Sequence, residues 1–313
     1  MKSPKILNYE IRPCKFVERR LFLQSLYQIT SSLKIKYQYI GFGGLTFTDF
    51  KLFHKELNID EMYSIEGCFT PQKLEFNKPF SCINILHGRS SQKLLNINLR
   101  KPSIVWLDYD GELTMDVFKD INILFNDLPH GSIYIMTCNR QLQNNDVDPQ
   151  RPYTNREFEA VFPGLVPFDI EDNCCAVVNT PKTIRKMVNS YCSKVLRERS
   201  RSGGDRLIFH PLYNIKYNER GAAGMYTYGG IILNEDFDED NLYLNCFDFL
   251  NNEIPFEIDV PNITHKEALH LNKIINIEKE ETDFIEQKII SPTDLEKYKR
   301  FYKYMPNFYD VRL

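Results

Sequence analysis

A glycine-rich turn and an acid on the following strand are the residues of this 313-residue chain best suited to chemistry. The run Y-Q-Y-I-G-F-G-G-L at 37–45 indicates a buried strand that enters a turn containing Gly41, Gly43 and Gly44. A second strand, M-Y-S-I-E, ends at Glu66. Glycines let the backbone approach a ligand closely, and an acid about 20 residues further on can accept hydrogen bonds from ribose hydroxyls. The spacing therefore predicts the first half of a nucleotide-type binding crevice.

Two more acids follow another apolar strand. Asp108 and Asp110 stand in V-W-L-D-Y-D-G-E-L at 105–113. Because ligands bind at the carboxyl ends of strands in open α/β sheets, we expect both carboxylates near the glycine turn. The run also resembles the D-x-D-G motif of haloacid-dehalogenase phosphatases, in which the first Asp is the nucleophile and the second the general acid or base. A structural alternative is an Asp-Gly turn in which Asp108 caps the next helix.

Short apolar runs alternate with segments of helical periodicity. The predicted strands of this part are 37–42, 62–66, 81–86, 103–108 and 132–137. Such alternation is typical of a parallel, doubly wound sheet with helices on both faces. Residues 205–217 and 225–233 predict an antiparallel hairpin, and a strand at 176–179 and a helix at 181–199 are predicted before it. We expect an α/β fold, with a Rossmann-like sheet of about seven strands, a C-terminal hairpin and helical extensions at both ends.

Three parts of the chain are predicted: an N-terminal helical lead at 1–36, a Rossmann-like domain at 37–260 and a C-terminal helical extension at 261–313. The lead contains the charged run R-P-C-K-F-V-E-R-R at 12–20. A solvated helix face is the favoured interpretation of this run. The alternative is a lid, in which Glu18 and Arg19 fold over the crevice.

Composition limits the partners and the cellular location. The chain has 39 basic and 42 acidic residues and a net charge of −3, so it lacks the excess of basic residues typical of nucleic-acid-binding proteins. A local basic patch that binds nucleic acid is still compatible with this composition. It has no apolar stretch of about 18 residues and no apolar signal-peptide run at its start, so we expect a cytoplasmic protein without membrane association. The eight cysteines include no C-x-x-C pair, and we expect no metal site.

The order of strands and hairpin resembles class I methyltransferases, which use S-adenosylmethionine. The chain is also similar to a bacterial O-methyltransferase family. The segments that carry this second resemblance are R-P-C-K-F-V-E-R-R (12–20), Y-I-G-F-G-G-L-T-F-T-D-F (39–50), S-I-E (64–66), E-F-N-K-P-F (75–80), V-W-L-D-Y-D-G-E-L (105–113) and Y-K-Y-M-P-N-F (302–308). Together they would extend the resemblance over nearly the whole chain.

The resemblance implies that S-adenosylmethionine is the cofactor. It assigns Gly41, Gly43 and Gly44 to the methionine and ribose end of that molecule. Glu66 would hold the ribose hydroxyls, and Asp108 would face the reacting methyl group.

Two residues depart from the superfamily pattern. Tyr39 stands where the first strand usually carries an acid, and Leu45 replaces the third glycine. Glu18 and Asp49 are candidates for the missing carboxylate. The segment L-H-G-R-S-S at 86–91 would lie near the adenine.

We therefore expect a methyltransferase, directed at oxygen, with Asp108 and Asp110 as candidate catalytic residues. One alternative is a non-catalytic subunit that binds an adenosine-type ligand or a partner protein, in a multi-gene bacterial system such as antiviral (phage) defence. The missing acid at Tyr39 favours it. The second alternative is the phosphatase that uses Asp108 and Asp110. Association with a partner protein or with further copies of the chain is compatible with each of these functions.

Overall fold

A single sheet of eight strands runs through the described part of the chain, which comprises residues 12–144, 151–219 and 224–305 of a computed structural model. The strands are β1 (Gln38–Gly41), β2 (Met62–Glu66), β3 (Ile83–His87), β4 (Ser103–Glu112), β5 (Ile133–Asn139), β6 (Leu207–Asn218), β7 (Gly224–Asn234) and β8 (Phe256–Ile258). Their order across the sheet is β3-β2-β1-β4-β5-β7-β6-β8. Three segments that the sequence analysis uses are described only in part. Residues 1–11 of the N-terminal lead, 220–223 between the two hairpin strands and 306–313 at the end of the chain lie outside the described residues.

The strand directions confirm the predicted Rossmann-like sheet and its terminal hairpin. Strands β1 to β5 pair in parallel, and β7 is antiparallel to both β5 and β6. The chain leaves β1 toward β2 on one side and later returns to β4 on the other side. The strand order therefore reverses between β1 and β4, where open α/β sheets form their ligand crevice. The extra strand, β8, is parallel to β6 and has three residues, which is too short for a periodic signal in the sequence.

Ten α-helices accompany the sheet within the described ranges. They are α1 (Pro13–Leu33), α2 (Thr48–Leu57), α3 (Pro71–Asn77), α4 (Ser90–Lys93), α5 (Met115–Asp127), α6 (Asn155–Val161), α7 (Thr180–Arg201), α8 (His265–Ile274), α9 (Glu278–Glu286) and α10 (Pro292–Phe301). None of these described helices combines the length and apolar character needed to cross a bilayer.

The strand predicted at 176–179 is wrong. This segment forms consecutive turns, in which the amide of Ala176 donates to the carbonyl of Asn173 and the amide of Asn179 donates to that of Ala176. Val178 is 82% exposed, although the preceding Cys174 and Cys175 are buried. The apolar run C-C-A-V-V at 174–178 is too short for its pattern to distinguish a strand from a turn that buries Cys174 and Cys175.

Helices cover both faces of the sheet. On one face, α5 and α7 share a hydrophobic core with Val105 and Leu107 of β4. On the other face, α1 and α2 pack over Trp106, because successive strand residues point to opposite faces. The ring of Phe22 in α1 lies 4.9 Å from that of Trp106 and 4.7 Å from that of Tyr213 in β6. Helix α1 is therefore anchored across the middle of the sheet.

The last three helices form a third hydrophobic cluster, which includes Leu271, Phe284 and Leu295. Helix α8 begins with a capping box, since Thr264 Oγ1 accepts from the amide of Glu267 and the Glu267 carboxylate accepts from the amide of Thr264. Phe301 of α10 joins the core under α1, so α10 docks on the body of the protein.

Candidate active site

The turn after β1 is tight on one side and open on the other. Gly41 pairs in register with Ser64 of β2 and with Trp106 of β4. A Cβ atom at Gly43 would lie 2.4 Å from Ser64 Oγ and 2.7 Å from the ring of Phe47, so only glycine fits there. Gly44 has a φ of +55°, and a Cβ atom there would meet nothing within 4 Å. The turn thus presents bare backbone to an open space, as a close-fitting ligand requires.

Glu66 lies at the carboxyl end of β2, beside this turn. It is half-buried, and its Oε1 accepts a hydrogen bond of 2.7 Å from the amide of Cys68. The buried hydroxyl of Ser64, two residues earlier on the same strand, has no hydrogen-bond partner among the described residues. A hydrogen-bond acceptor and an unpartnered hydroxyl therefore flank the turn.

Asp108 lies within β4, which continues to Glu112 with a register shift between these two residues. The helix-cap alternative is wrong, because Thr114 precedes the first residue of α5. Asp108 keeps 18% of its side chain exposed, and its Oδ2 lies 2.8 Å from Lys15 Nζ. The next acid, Asp110, is exposed.

The carboxylates at this edge influence one another. Partial desolvation, followed by the charges of Asp108 and Glu66, raises the pKa of Asp110, whereas Arg12 and Lys15 oppose the shift. All candidate residues from the sequence, namely Gly41, Gly43, Gly44, Glu66, Asp108 and Asp110, are thus at one end of three adjacent strands. Within the described ranges, no group of three or more His, Cys, Asp or Glu residues is arranged to hold a metal ion.

Helix α1 adds two charged residues: Lys15, which the sequence interpretation missed, and Glu18, which it named only as a lid residue or a substitute for the missing acid. Lys15 Nζ lies 2.9 Å from Glu18 Oε2, and both side chains are fully buried. We call Lys15, Glu18 and Asp108 the ion triad. Burial opposes the charge on Lys15, but Asp108 and Glu18 outweigh it and raise the pKa of this ammonium. The ammonium also lies 4.5 Å from the ring centroid of Trp106, a favourable cation–π arrangement.

A chain of hydrogen bonds joins the ion triad to the core of the sheet. Trp106 Nε1 donates to Thr137 Oγ1 over 3.1 Å, and Thr137 Oγ1 lies 2.8 Å from Thr227 Oγ1. The Thr227 hydroxyl in turn donates to Glu18 Oε1. Burial, the largest influence, raises the pKa of Glu18, while Lys15 and the Thr227 hydrogen bond lower it.

Tyr39, which replaces the usual acid, is buried beneath the turn. Its ring packs edge-on against Phe50 at 4.7 Å and Phe53 at 4.9 Å. Burial, then the charges of Asp49 and Asp108, raises its pKa, so the phenol stays protonated. The two candidate substitutes for the acid are engaged with cations, Glu18 with Lys15 and Asp49 with Arg19.

The prediction that residues 12–20 form a solvated helix face is wrong for Lys15, Glu18 and Arg19, because each of these side chains is less than 5% exposed. One signal in the sequence could have revealed this. Lys15, Glu18 and Phe22 stand at positions i, i+3 and i+7, so they share one face of the helix. Because Phe22 is buried, this spacing places Lys15 and Glu18 on the buried face.

Comparison with known proteins identifies the family. The sequence model of a family described as "Putative O-methyltransferase" matches residues 7–313. The chain belongs to this family. The predicted resemblance to methyltransferases is thereby confirmed.

The chain is also similar to several solved structures, whereas no curated protein matches its sequence. One is human N-acetylserotonin methyltransferase in complex with SAM, at 9% identity over 68% of this chain and 51% of that chain, with a TM-score of 0.37. The chain thus spans about half of the human methyltransferase. An O-methyltransferase family protein from Burkholderia thailandensis matches at 7% identity over 71% and 58%, with a TM-score of 0.34. The methyltransferase domain of bacterial CtHen1 matches at 9% identity over 68% and 98%, with a TM-score of 0.35.

Proposed function

We propose that the protein is an S-adenosylmethionine-dependent methyltransferase that acts on an oxygen nucleophile. The observation that carries this proposal is the meeting of the Gly43 turn, Glu66 and Asp108 at the point where the strand order reverses. The sheet of this O-methyltransferase family member therefore offers bare backbone, a ribose-type acceptor and an acid at a single crevice.

The residues present fit the cofactor. The turn from Gly41 to Gly44 would contact its methionine and ribose portion, because a side chain at Gly43 has no room. Glu66 would accept hydrogen bonds from the ribose hydroxyls, and the unpartnered Ser64 hydroxyl beneath the turn supplies a further polar group. When bound, the cofactor supplies a methyl group made electrophilic by its sulfonium charge.

The protein's own residues would orient the acceptor and take up its proton. Asp110 is exposed at the crevice, and its raised pKa brings it closer to the range in which a carboxylate is an effective general base for a hydroxyl. Asp108 is held by Lys15 and is suited to a fixed electrostatic role beside it. Family membership favours this chemistry over the phosphatase hypothesis.

A non-catalytic subunit that binds an adenosine-type ligand is the second candidate. The observation that favours it is the phenol of Tyr39 at the position of the usual acid, since a protonated phenol cannot provide the carboxylate. Binding of S-adenosylmethionine without methyl transfer to any acceptor would support this candidate. Hydrolysis of a phosphate ester that is lost in Asp108→Asn would instead support the phosphatase.

Replacing Glu66 with glutamine is expected to weaken binding of both S-adenosylmethionine and S-adenosylhomocysteine by about 10- to 100-fold. The reason is the loss of charge-assisted hydrogen bonds to the ribose, each of which contributes about 1.5–3 kcal/mol. Isothermal titration calorimetry measures both affinities.

The matched control is Glu75→Gln on α3, an exposed acid that pairs with Lys78, and it should leave both affinities unchanged. Failure of the wild-type protein to bind either ligand would overturn the proposed function. Equal affinities in wild type and Glu66→Gln would remove only Glu66 from the site.

A further inference from the structure

Helix α1 places a pair of opposite charges, Lys15 and Glu18, directly behind Asp108. Lys15 lies between Glu18 and Asp108, at 2.9 Å and 2.8 Å, and neither Lys15 nor Glu18 has exposed surface. One ammonium and two carboxylates leave a single negative charge on the ion triad. Because this charge is shielded from water, it acts on a ligand in the crevice more strongly than a surface charge would.

Two contacts of Glu18 oppose the effect of burial and favour its charged form. An indole nitrogen can only donate, so Thr137 Oγ1 accepts from Trp106, and either hydroxyl of the Thr137–Thr227 pair can be the donor to the other. Thr227 then donates to Glu18 Oε1, while Glu18 Oε2 faces the ammonium of Lys15. The Thr227 hydroxyl and the Lys15 ammonium thus both lie against Glu18 and favour its carboxylate form, in opposition to burial.

We infer that Glu18 and Lys15 set the net charge of the reaction centre and so make it select a cationic methyl donor over its neutral product. This inference rests on the proposed function. S-adenosylmethionine carries a sulfonium charge, which S-adenosylhomocysteine lacks. The single negative charge of the ion triad attracts only the first of the two, and Lys15 prevents the second carboxylate from making the triad doubly negative.

The test compares variants by the ratio of the two dissociation constants, that of S-adenosylhomocysteine over that of S-adenosylmethionine, measured by calorimetry. Glu18→Gln makes the ion triad neutral, and we expect the ratio to fall about tenfold while the affinity for S-adenosylhomocysteine stays constant. Lys15→Met combined with Glu18→Gln leaves Asp108 as the only charged member of the ion triad, which restores the net charge that the triad has in wild type. In this double variant we expect the ratio to return to within about threefold of wild type.

Arg20→Gln, which removes an exposed charge from the same helix, is the control and should leave the ratio unchanged. If Glu18→Gln does not fold, adding Asp108→Asn to the double variant gives a second comparison, and the ratio should fall there too. An unchanged ratio, or an equal loss of both affinities, would overturn the inference even though the wild-type protein binds the cofactor. A wild-type protein that binds neither ligand would overturn the proposed function and the inference with it.

Discussion

Replacing Lys15 with methionine is expected to lower the free energy of unfolding by about 3–5 kcal/mol. The substitution leaves the carboxylate of Glu18 fully buried and that of Asp108 largely buried, without the ammonium that pairs with both. Urea denaturation at neutral pH measures the change. Lys101→Met is the matched control, since Lys101 Nζ lies 2.7 Å from Glu61 Oε1 but is 47% exposed. Loss of that exposed pair should leave the free energy of unfolding close to that of wild type.

The loss in Lys15→Met should depend on pH. Burial raises the pKa of Glu18, and removal of the ammonium raises it further. A carboxyl group with a raised pKa in the folded state contributes stability at low pH, which is lost as the pH rises through that pKa. The deficit should therefore be smaller at pH 5 than at pH 8, and adding Glu18→Gln should recover part of it at the higher pH. Equal losses in Lys15→Met and Lys101→Met would contradict the role of burial.

Replacing Gly43 with alanine is expected to weaken binding of S-adenosylmethionine by about 30-fold or more, equivalent to about 2 kcal/mol. The new Cβ atom would lie 2.4 Å from Ser64 Oγ and 2.7 Å from the ring of Phe47. Both residues are fully buried, so the turn itself must move. The same crowding should lower the free energy of unfolding by about 1–3 kcal/mol. Calorimetry and urea denaturation measure the two effects.

Gly111→Ala is the control for this substitution, because Gly111 is exposed and a Cβ atom there meets nothing within 4 Å. Binding and stability should both stay close to wild type. If Gly43→Ala loses stability but binds the cofactor normally, then the turn has a structural role and does not contact the ligand.

Local patterns predicted those parts of the fold that depend on neighbouring residues. The continuous apolar run before Asp108 predicted a strand buried on both faces, and Val105 and Trp106 lie in different cores. The start of α8 is equally local, because the capping box of Thr264 and Glu267 is complete within four residues. The edge at which Gly43, Glu66 and Asp108 meet followed from the parallel order of the strands.

The contacts that complete the site could not be predicted in this way. Lys15 was assigned to a solvated face because its partner, Asp108, is remote in the sequence and nothing local indicates that they meet. The role of Thr227 depends on strand register, which places Thr137 opposite it on β5. The position of Tyr39 was recognised as a departure, but only packing against Phe50 and Phe53 shows that its ring lies beneath the turn.

The bond from Thr227 to Glu18 joins residues that are 209 positions apart, and the amide of Lys15 donates to Glu219 over 204 positions. During synthesis, α1 leaves the ribosome long before the hairpin that completes its surroundings. At about 5–20 residues per second, this interval lasts roughly 10–40 s. For that time the charges of Lys15 and Glu18 stay hydrated, and they are buried only when β7 pairs with the sheet. The ion triad therefore reaches its final surroundings only after β7 has been synthesised, and a chain that stops before Thr227 cannot complete them.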